Sequence, residues 1–203
     1  MSTPPRSDPG RRERKRLLQL DHLADTALAL FDAEGYEAVT MERIAAVADV
    51  AKGTLYKHFP VKEALLRHRF HRELREGLER LQPVVLAEAP GAARLRRFFD
   101  LSAQWSERHR ETLLPYVRFR LAEPCHGDDS QRSGLAQVFT GLIADGQGAG
   151  GFRTDIGAEV LANYLEFLYL ASLLRWLTGA TPVLQAEFER MLAVFLGGLE
   201  VRS

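Results

Sequence analysis

The sequence has little of what secreted scaffolds and membrane proteins need. It contains one cysteine, Cys125, in 203 residues, which excludes an internal disulfide framework and fits a reducing cytoplasm. The N-terminus is charged and carries no apolar core segment, so no signal peptide is predicted. The most apolar run, 160–177, includes Glu166 and Arg175, two charges that a membrane span rarely accepts. The sequence therefore predicts a soluble, cytoplasmic protein.

Groups for catalysis and metal binding are also scarce. His68 and His71 stand at i, i+3, but they lie among arginines that would repel a cation. Nothing near Cys125 in the sequence activates its thiol. The glycine-rich segment 146–151 is expected to be a flexible connection, and it lacks the Lys-Ser/Thr ending of a phosphate-binding loop. We therefore expect neither an enzyme nor a metal or cofactor site.

The chain has no net charge, but its charges are unevenly distributed. Residues 1–20 hold six Lys or Arg against two Asp or Glu, and residues 40–62 hold four against two. From residue 83 onward, 12 basic residues face 14 acidic ones. The local excesses of positive charge therefore lie in residues 1–20 and in the segment 40–62, where they would attract nucleic acid.

Residues 1–16 contain three prolines and almost nothing apolar, which predicts a disordered basic arm. The arm's candidate contacts with phosphates or a minor groove are Arg11, Arg12, Arg14, Lys15 and Arg16. The alternative is a solvated tail without a role in binding.

Residues 40–59 have the pattern of two short helices joined by a tight turn. Thr40 is a good N-cap, and the first helix has a buried stripe of Met41, Ile44, Ala45 and Ala48. In the second helix Leu55 and Phe59 face inward at i, i+4, while the other faces are basic, hydroxylated and aromatic. Such a helix can enter a DNA major groove while its neighbours hold phosphates.

The rest of the chain shows helical periodicity without the alternation of β-strands, so an all-α fold is predicted. The expected longer helices are 17–34, 62–81, 92–110, 112–122, 130–145, 156–177 and 181–199. Thr181 is expected to cap the last of them, Pro83 to end the second, and 123–129 to form a loop. The last two helices are apolar around much of their circumference, which indicates that they need a partner.

Several motifs stand at fixed offsets within residues 17–68. They are LADTALALF at 23–31, Gly35-Tyr36, Thr40, Ile44-Ala45, GTLYKHF at 53–59 and KEALL at 62–66. Together they resemble the N-terminal domain of the tetracycline-repressor (TetR) family of transcriptional regulators. The resemblance implies a helix-turn-helix DNA-binding domain at 17–61, joined to a larger helical domain at 62–203 for effector binding and dimerisation.

The resemblance also implies a homodimeric repressor that leaves a palindromic operator when a small, largely apolar ligand binds. The DNA-binding residues expected by matched position are Thr40, Lys52, Gly53, Thr54, Tyr56, Lys57, His58 and Lys62. Lys52 and Thr54 are expected at base edges, and Gly53 lets the backbone approach the duplex. Thr40, Tyr56, His58 and Lys62 would contact phosphates.

Two further residue sets are expected in the larger domain. An apolar wall with a few convergent polar groups suggests a ligand pocket, with the lining Phe98, Ser102, Trp105, His109, Tyr116, Phe119, Phe139, Tyr164 and Phe167; an ordinary aromatic core is the alternative. The family's last two helices form a dimeric four-helix bundle, which implies an interface of Leu161, Leu165, Leu168, Phe188, Met191, Leu192 and Phe195.

Three positions depart from the family pattern: Asp49 stands for glycine, Ala51 for serine and Val61 for a small polar cap. Asp49 tolerates the left-handed conformation of the turn. Ala51 cannot cap the second helix, a loss of about 1 kcal/mol. Two other functions stay open, namely a DNA-binding protein without a small-molecule effector and an enzyme or transport module that kept this DNA-binding domain.

Overall fold

The computed structural model describes residues 10–122, 134–179 and 183–199, which form nine α-helices and no β-strand. The helices are α1 Arg11–Glu34, α2 Met41–Val47, α3 Lys52–His58, α4 Lys62–Leu86, α5 Ala92–Arg108, α6 Arg110–Ala122, α7 Leu135–Gly148, α8 Ala158–Leu177 and α9 Leu184–Leu199. The all-α prediction is confirmed. Within these ranges, no helix has both the length and the hydropathy to span a membrane. The predicted loop at 123–129 and the predicted cap Thr181 lie outside the described residues.

The chain divides into two compact units, Met1–Phe70 and His71–Ser203. The first unit contains α1, α2, α3 and the first turns of α4. Its buried core includes Leu20, Leu23, Ala27, Phe31, Ile44, Leu55, Phe59, Leu65 and Phe70. The core also includes the rest of the stripe predicted for α2, so this stripe and the pair Leu55 and Phe59 face inward as predicted. This core braces the short helix α3.

The helix α1 begins six residues earlier than the sequence predicted. It starts at Arg11 rather than Leu17, so the described end of the expected disordered arm is helical. Arg16 and Glu13 form an i, i+3 ion pair with 2.7 Å between Nη2 and Oε1, and arginine, lysine and glutamate are good helix formers. Because the following part of α1 is already a packed helix, adding residues at its start avoids the cost of helix nucleation. Composition alone does not reveal this effect. The remainder of the arm, 1–9, lies outside the described residues.

The second unit contains the rest of α4 and helices α5 to α9. Helix α8 packs against α6, α7 and α9, and α5 packs against α9. An aromatic cluster fills the core, with centroid separations of 5.0 Å for Phe99–Phe188 and 5.6 Å for Phe99–Phe139. This cluster holds α5, α7 and α9 together.

Two local predictions in this unit were wrong. Pro83 lies inside α4 instead of ending it, since the helix continues with a 3.1 Å bond from the Ala87 amide to the Pro83 carbonyl. The segment 146–151 is not simply a flexible connection, because its first glycines belong to α7. A Cβ on Gly146 would lie 2.3 Å from the Phe152 ring, so this glycine allows close packing.

Candidate DNA-binding and ligand sites

The turn between α2 and α3 has the backbone geometry of a helix-turn-helix. The Thr40 hydroxyl oxygen accepts a 3.1 Å bond from the Arg43 amide and caps α2, which confirms the predicted cap. Asp49 has φ 52°, and it is the one non-glycine residue with positive φ in the described ranges. Ala51 occupies the N-cap position of α3, and its side chain makes no capping hydrogen bond because it has no polar atom. Two of the three departures from the family pattern, Asp49 and Ala51, are therefore compatible with the turn.

The helix α3 turns a polar face to solvent because its apolar side chains are used for anchoring. Leu55 is fully buried, and Phe59 at the helix end is nearly so. The outward side is formed by Lys52, Gly53, Tyr56 and Lys57, which are exposed, and by Thr54 and His58, which are half-buried. The sequence-predicted DNA-binding residues on α3 are thus brought together on one accessible surface.

Two of these side chains share one acidic partner. The Lys52 ammonium lies 2.5 Å from Glu42 Oε1, and the Tyr56 hydroxyl donates to the same oxygen at 3.2 Å. The hydrogen bond from Lys52 holds the pKa of the Glu42 carboxyl below its ordinary value. The same contact raises the pKa of Lys52. Glu42 lies in the first turn of α2, ten residues before Lys52, so local spacing in the sequence does not reveal this contact.

The Lys62 ammonium faces the loop between α1 and α2. It donates to the carbonyl oxygens of Tyr36 at 2.7 Å and Val39 at 2.9 Å, and it lies 4.3 Å from the Tyr36 ring centroid. A lysine has three N–H donors, so one is left for the predicted phosphate contact, which stays a prediction. Burial and the Glu63 carboxylate raise the pKa of the Tyr36 phenol, which donates to Glu63 at 2.7 Å.

Most of the predicted pocket residues occupy other places in the second unit. Ser102 bonds the Tyr169 hydroxyl at 2.9 Å, and Tyr116 lies 3.2 Å from His71 Nε2. Trp105 donates to Glu73 at 3.1 Å and stacks on His109, 4.3 Å between centroids. Phe139 is buried in the aromatic core, and Phe119 is half-buried. Tyr164 and Phe167 are exposed.

A cleft of about 780 Å³ instead lies between α4, α5 and α7. Its lining is Arg75, Leu78, Leu81, Gln82, Val85, Leu86, Phe98, Gly134, Gln137, Val138, Gly141, Leu142 and Asp145. Phe98 is the one residue that this lining shares with the predicted set. The part of this lining on α4 could have been found in the sequence. Its helical spacing of i, i+3, i+7 and i+10 places four of the residues on one face, namely Arg75, Leu78, Gln82 and Val85.

The charged groups of the cleft differ in their pairing. The Asp145 carboxylate is held by Arg94, 2.5 Å from Nη1, and Arg94 Nε also donates to the Glu88 carbonyl at 3.0 Å. Arg75 is exposed, and no ion pair to it is found in the described part of the chain. The cleft thus combines an apolar wall with a cationic group that is available to an anion.

The predicted dimer residues lie mostly inside the chain's own core. Leu161, Leu165, Phe188, Met191 and Leu192 are buried, Phe195 is half-buried and Leu168 is exposed. The adjoining face of α8 carries an exposed apolar stripe, made of Val160, Tyr164, Phe167 and Leu168. On α9, Val194 is 80% exposed. Helix α8 is therefore apolar on two faces, and its exposed stripe is offset by about one residue, or 100°, from the predicted Leu161, Leu165 and Leu168. The dimer interface itself stays a prediction.

In the described ranges, no three His, Cys, Asp or Glu side chains are grouped as a metal ion would require. The two histidines at i, i+3 have separate partners. His68 Nε2 lies 2.7 Å from Asp21, and His71 Nε2 also lies 3.0 Å from Arg120 Nη1.

Comparison with protein families matches residues 23–68 to a model described as bacterial regulatory proteins, tetR family. Over 175 residues the chain is 29% identical to the HTH-type transcriptional repressor KstR of Mycolicibacterium smegmatis, covering 85% of this chain and 80% of that protein. Over 181 residues it is 24% identical to the HTH-type transcriptional repressor KstR2 of Mycobacterium tuberculosis, covering 87% and 90%. These relatives are transcriptional regulators rather than enzymes.

Solved structures share the whole fold. Thermus thermophilus FadR, a TetR-family transcriptional repressor in complex with lauroyl-CoA, matches with a TM-score of 0.74 and 28% identity over 91% of this chain and 96% of that one. The ketosteroid transcriptional regulator KstR2 of Mycobacterium tuberculosis matches with a TM-score of 0.56 and 23% identity over 91% and 96%. At 23% identity, the similarity to the KstR2 structure shows a shared fold alone.

Proposed function

The chain belongs to the TetR family of bacterial regulatory proteins, and we propose that it is a homodimeric transcriptional repressor that leaves a palindromic operator when a small ligand binds. In this proposal residues 17–61 bind DNA, residues 62–203 bind the effector and dimerise, and the protein acts in the cytoplasm. The observation that carries the proposal is the polar face of α3, held outward by buried Leu55 and Phe59.

The helix α3 is proposed to enter the major groove. Lys52 and Thr54 stand in its first turn and read base edges, because recognition helices contact bases through their N-terminal residues. A lysine donating to guanine O6 and N7 discriminates by about 1–3 kcal/mol. Tyr56 and His58 lie further along α3 and bind phosphates, and Lys57 is a further candidate for a base edge.

The partner surface is proposed to be the exposed apolar stripe of α8 together with Val194 of α9. Exposed apolar side chains at helical spacing are typical of a helix that packs against another chain. A two-fold symmetric dimer that reads a palindromic operator needs its two α3 helices about 34 Å apart, the spacing of successive major grooves.

The effector is proposed to be an amphipathic anion, such as a long-chain acyl thioester of coenzyme A. The cleft volume of about 780 Å³ is in the range of ligand sites, and its wall is largely apolar with Arg75 at the exposed edge. The similar Thermus thermophilus FadR is in complex with lauroyl-CoA. Helix α4 begins in the DNA-binding unit and lines the cleft with its C-terminal half. A ligand-dependent shift of α4 would therefore couple ligand binding to DNA binding, with a coupling free energy of about 1–3 kcal/mol.

The proposal is tested by selecting bound duplexes from random DNA and adding lauroyl-CoA to the selected complex. We expect an inverted repeat and its release by lauroyl-CoA, with coenzyme A alone as the control. Absence of any selected sequence would refute DNA recognition. An inverted repeat that neither lauroyl-CoA nor an apolar steroid releases, with neither raising the melting temperature, would favour the regulator without a small-molecule effector.

A further inference from the structure

The Glu42 carboxylate lies within the surface that DNA is proposed to occupy. One of its oxygens, Oε1, contacts both Lys52 Nζ at 2.5 Å and the Tyr56 hydroxyl at 3.2 Å. Lys52 and Tyr56 are i, i+4 neighbours on α3, so they share one face. A single acidic group from α2 therefore contacts a proposed base-reading residue and a proposed phosphate-binding residue.

An acidic group at this position changes what Lys52 offers to DNA. An isolated lysine attracts any phosphate and releases a counterion, whatever the base sequence. Together, Lys52 and Glu42 carry no net charge, so the pair gains little from a nearby phosphate. Lysine has three N–H donors, so two of them are left for the acceptors O6 and N7 of a guanine.

We propose that Glu42 is a specificity-determining residue, which cancels the charge of Lys52 toward phosphates and keeps its remaining donors for base edges. The inference rests on the proposed DNA-binding function. Its consequence is weaker binding to non-operator DNA without an equal loss at the operator. The ratio of the two affinities, rather than the affinity alone, decides whether a regulator occupies its site among many competing sequences.

The test measures the salt dependence of binding to a duplex of random sequence by fluorescence anisotropy. For Glu42→Gln we expect tighter binding at low salt. We also expect a log–log salt slope steeper by about 0.9 for each chain bound. Between about 50 and 200 mM salt the variant then loses about 3.5-fold more affinity per chain than the wild type. On the selected palindromic duplex the affinity gain is smaller, so the specificity ratio falls.

Two further variants separate this role from others. In a Lys52→Met background Glu42→Gln leaves the slope unchanged, because no lysine is released. Asp32, an exposed carboxylate on α1, serves as the matched control, since Asp32→Asn removes the same charge and releases no lysine. Melting curves of all variants are compared, so that an unstable variant is recognised.

An unchanged slope in Glu42→Gln, or an equal steepening in Asp32→Asn, would overturn the proposal while leaving the DNA-binding function intact. Failure of the wild type to bind either duplex at low salt would instead refute the proposed function, and the inference with it.

Discussion

The exposed stripe of α8 gives a quantitative prediction about dimerisation. Phe167 is 46% exposed, whereas Leu192 on α9 is 3% exposed. Complete burial of a phenylalanine side chain contributes about 1.5–3 kcal/mol. A partner can bury only the exposed part, so Phe167→Ala should weaken the dimer by about 0.7–1.4 kcal/mol per copy, or about 1.5–3 kcal/mol for the symmetric pair.

This change corresponds to a dimer dissociation constant about 10- to 100-fold larger. Sedimentation equilibrium over a range of concentrations measures it directly. Leu18→Ala on α1 is the matched control, because Leu18 is also exposed and apolar but lies in the DNA-binding unit. Leu192→Ala should destabilise the fold by about 2–5 kcal/mol, since it leaves a cavity in the core. A dimer weakened by Leu192→Ala at concentrations where the chain stays folded, and unchanged by Phe167→Ala, would refute the assignment of the interface to the exposed stripe.

Two other variants test the cleft and the cap of α2. Arg75→Gln should weaken lauroyl-CoA binding by about 1.5–3 kcal/mol, the range for hydrogen bonds to charged groups, and leave operator affinity unchanged; calorimetric titration with equal affinity for both proteins would exclude Arg75 from the site. Thr40→Ala should destabilise the DNA-binding unit by about 1 kcal/mol, because the Arg43 amide loses its 3.1 Å partner. Amide exchange in α2 measures this loss, and unchanged protection would contradict the capping role.

The helix-turn-helix could be predicted from the sequence because its determinants are local. Thr40 caps α2, Asp49 takes the left-handed turn and Leu55 is buried, and each follows from residue type and spacing within twenty positions. The start of α1 was missed because composition suggested disorder where Arg16 and Glu13 pair along a helix.

The cleft and the partner surface depend on packing between distant segments. Phe98 and Phe139 have the same apolar character in the sequence, yet one lines the cleft and the other fills the core. Leu165 and Tyr164 are adjacent, but a turn of about 100° per residue sends one into the core and the other to solvent. The contact between Glu42 and Lys52 likewise arises only when α2 and α3 pack together.

The proposed function requires two copies of α3 to contact one DNA duplex, and a Lys52 variant tests this requirement most directly. The measurement is a second selection from random DNA with Lys52→Ala. We expect the inverted repeat to persist while base preference is lost at one pair of positions related by the two-fold axis. A sequence preference identical to that of the wild type, or a loss at a single unpaired position, would contradict the account.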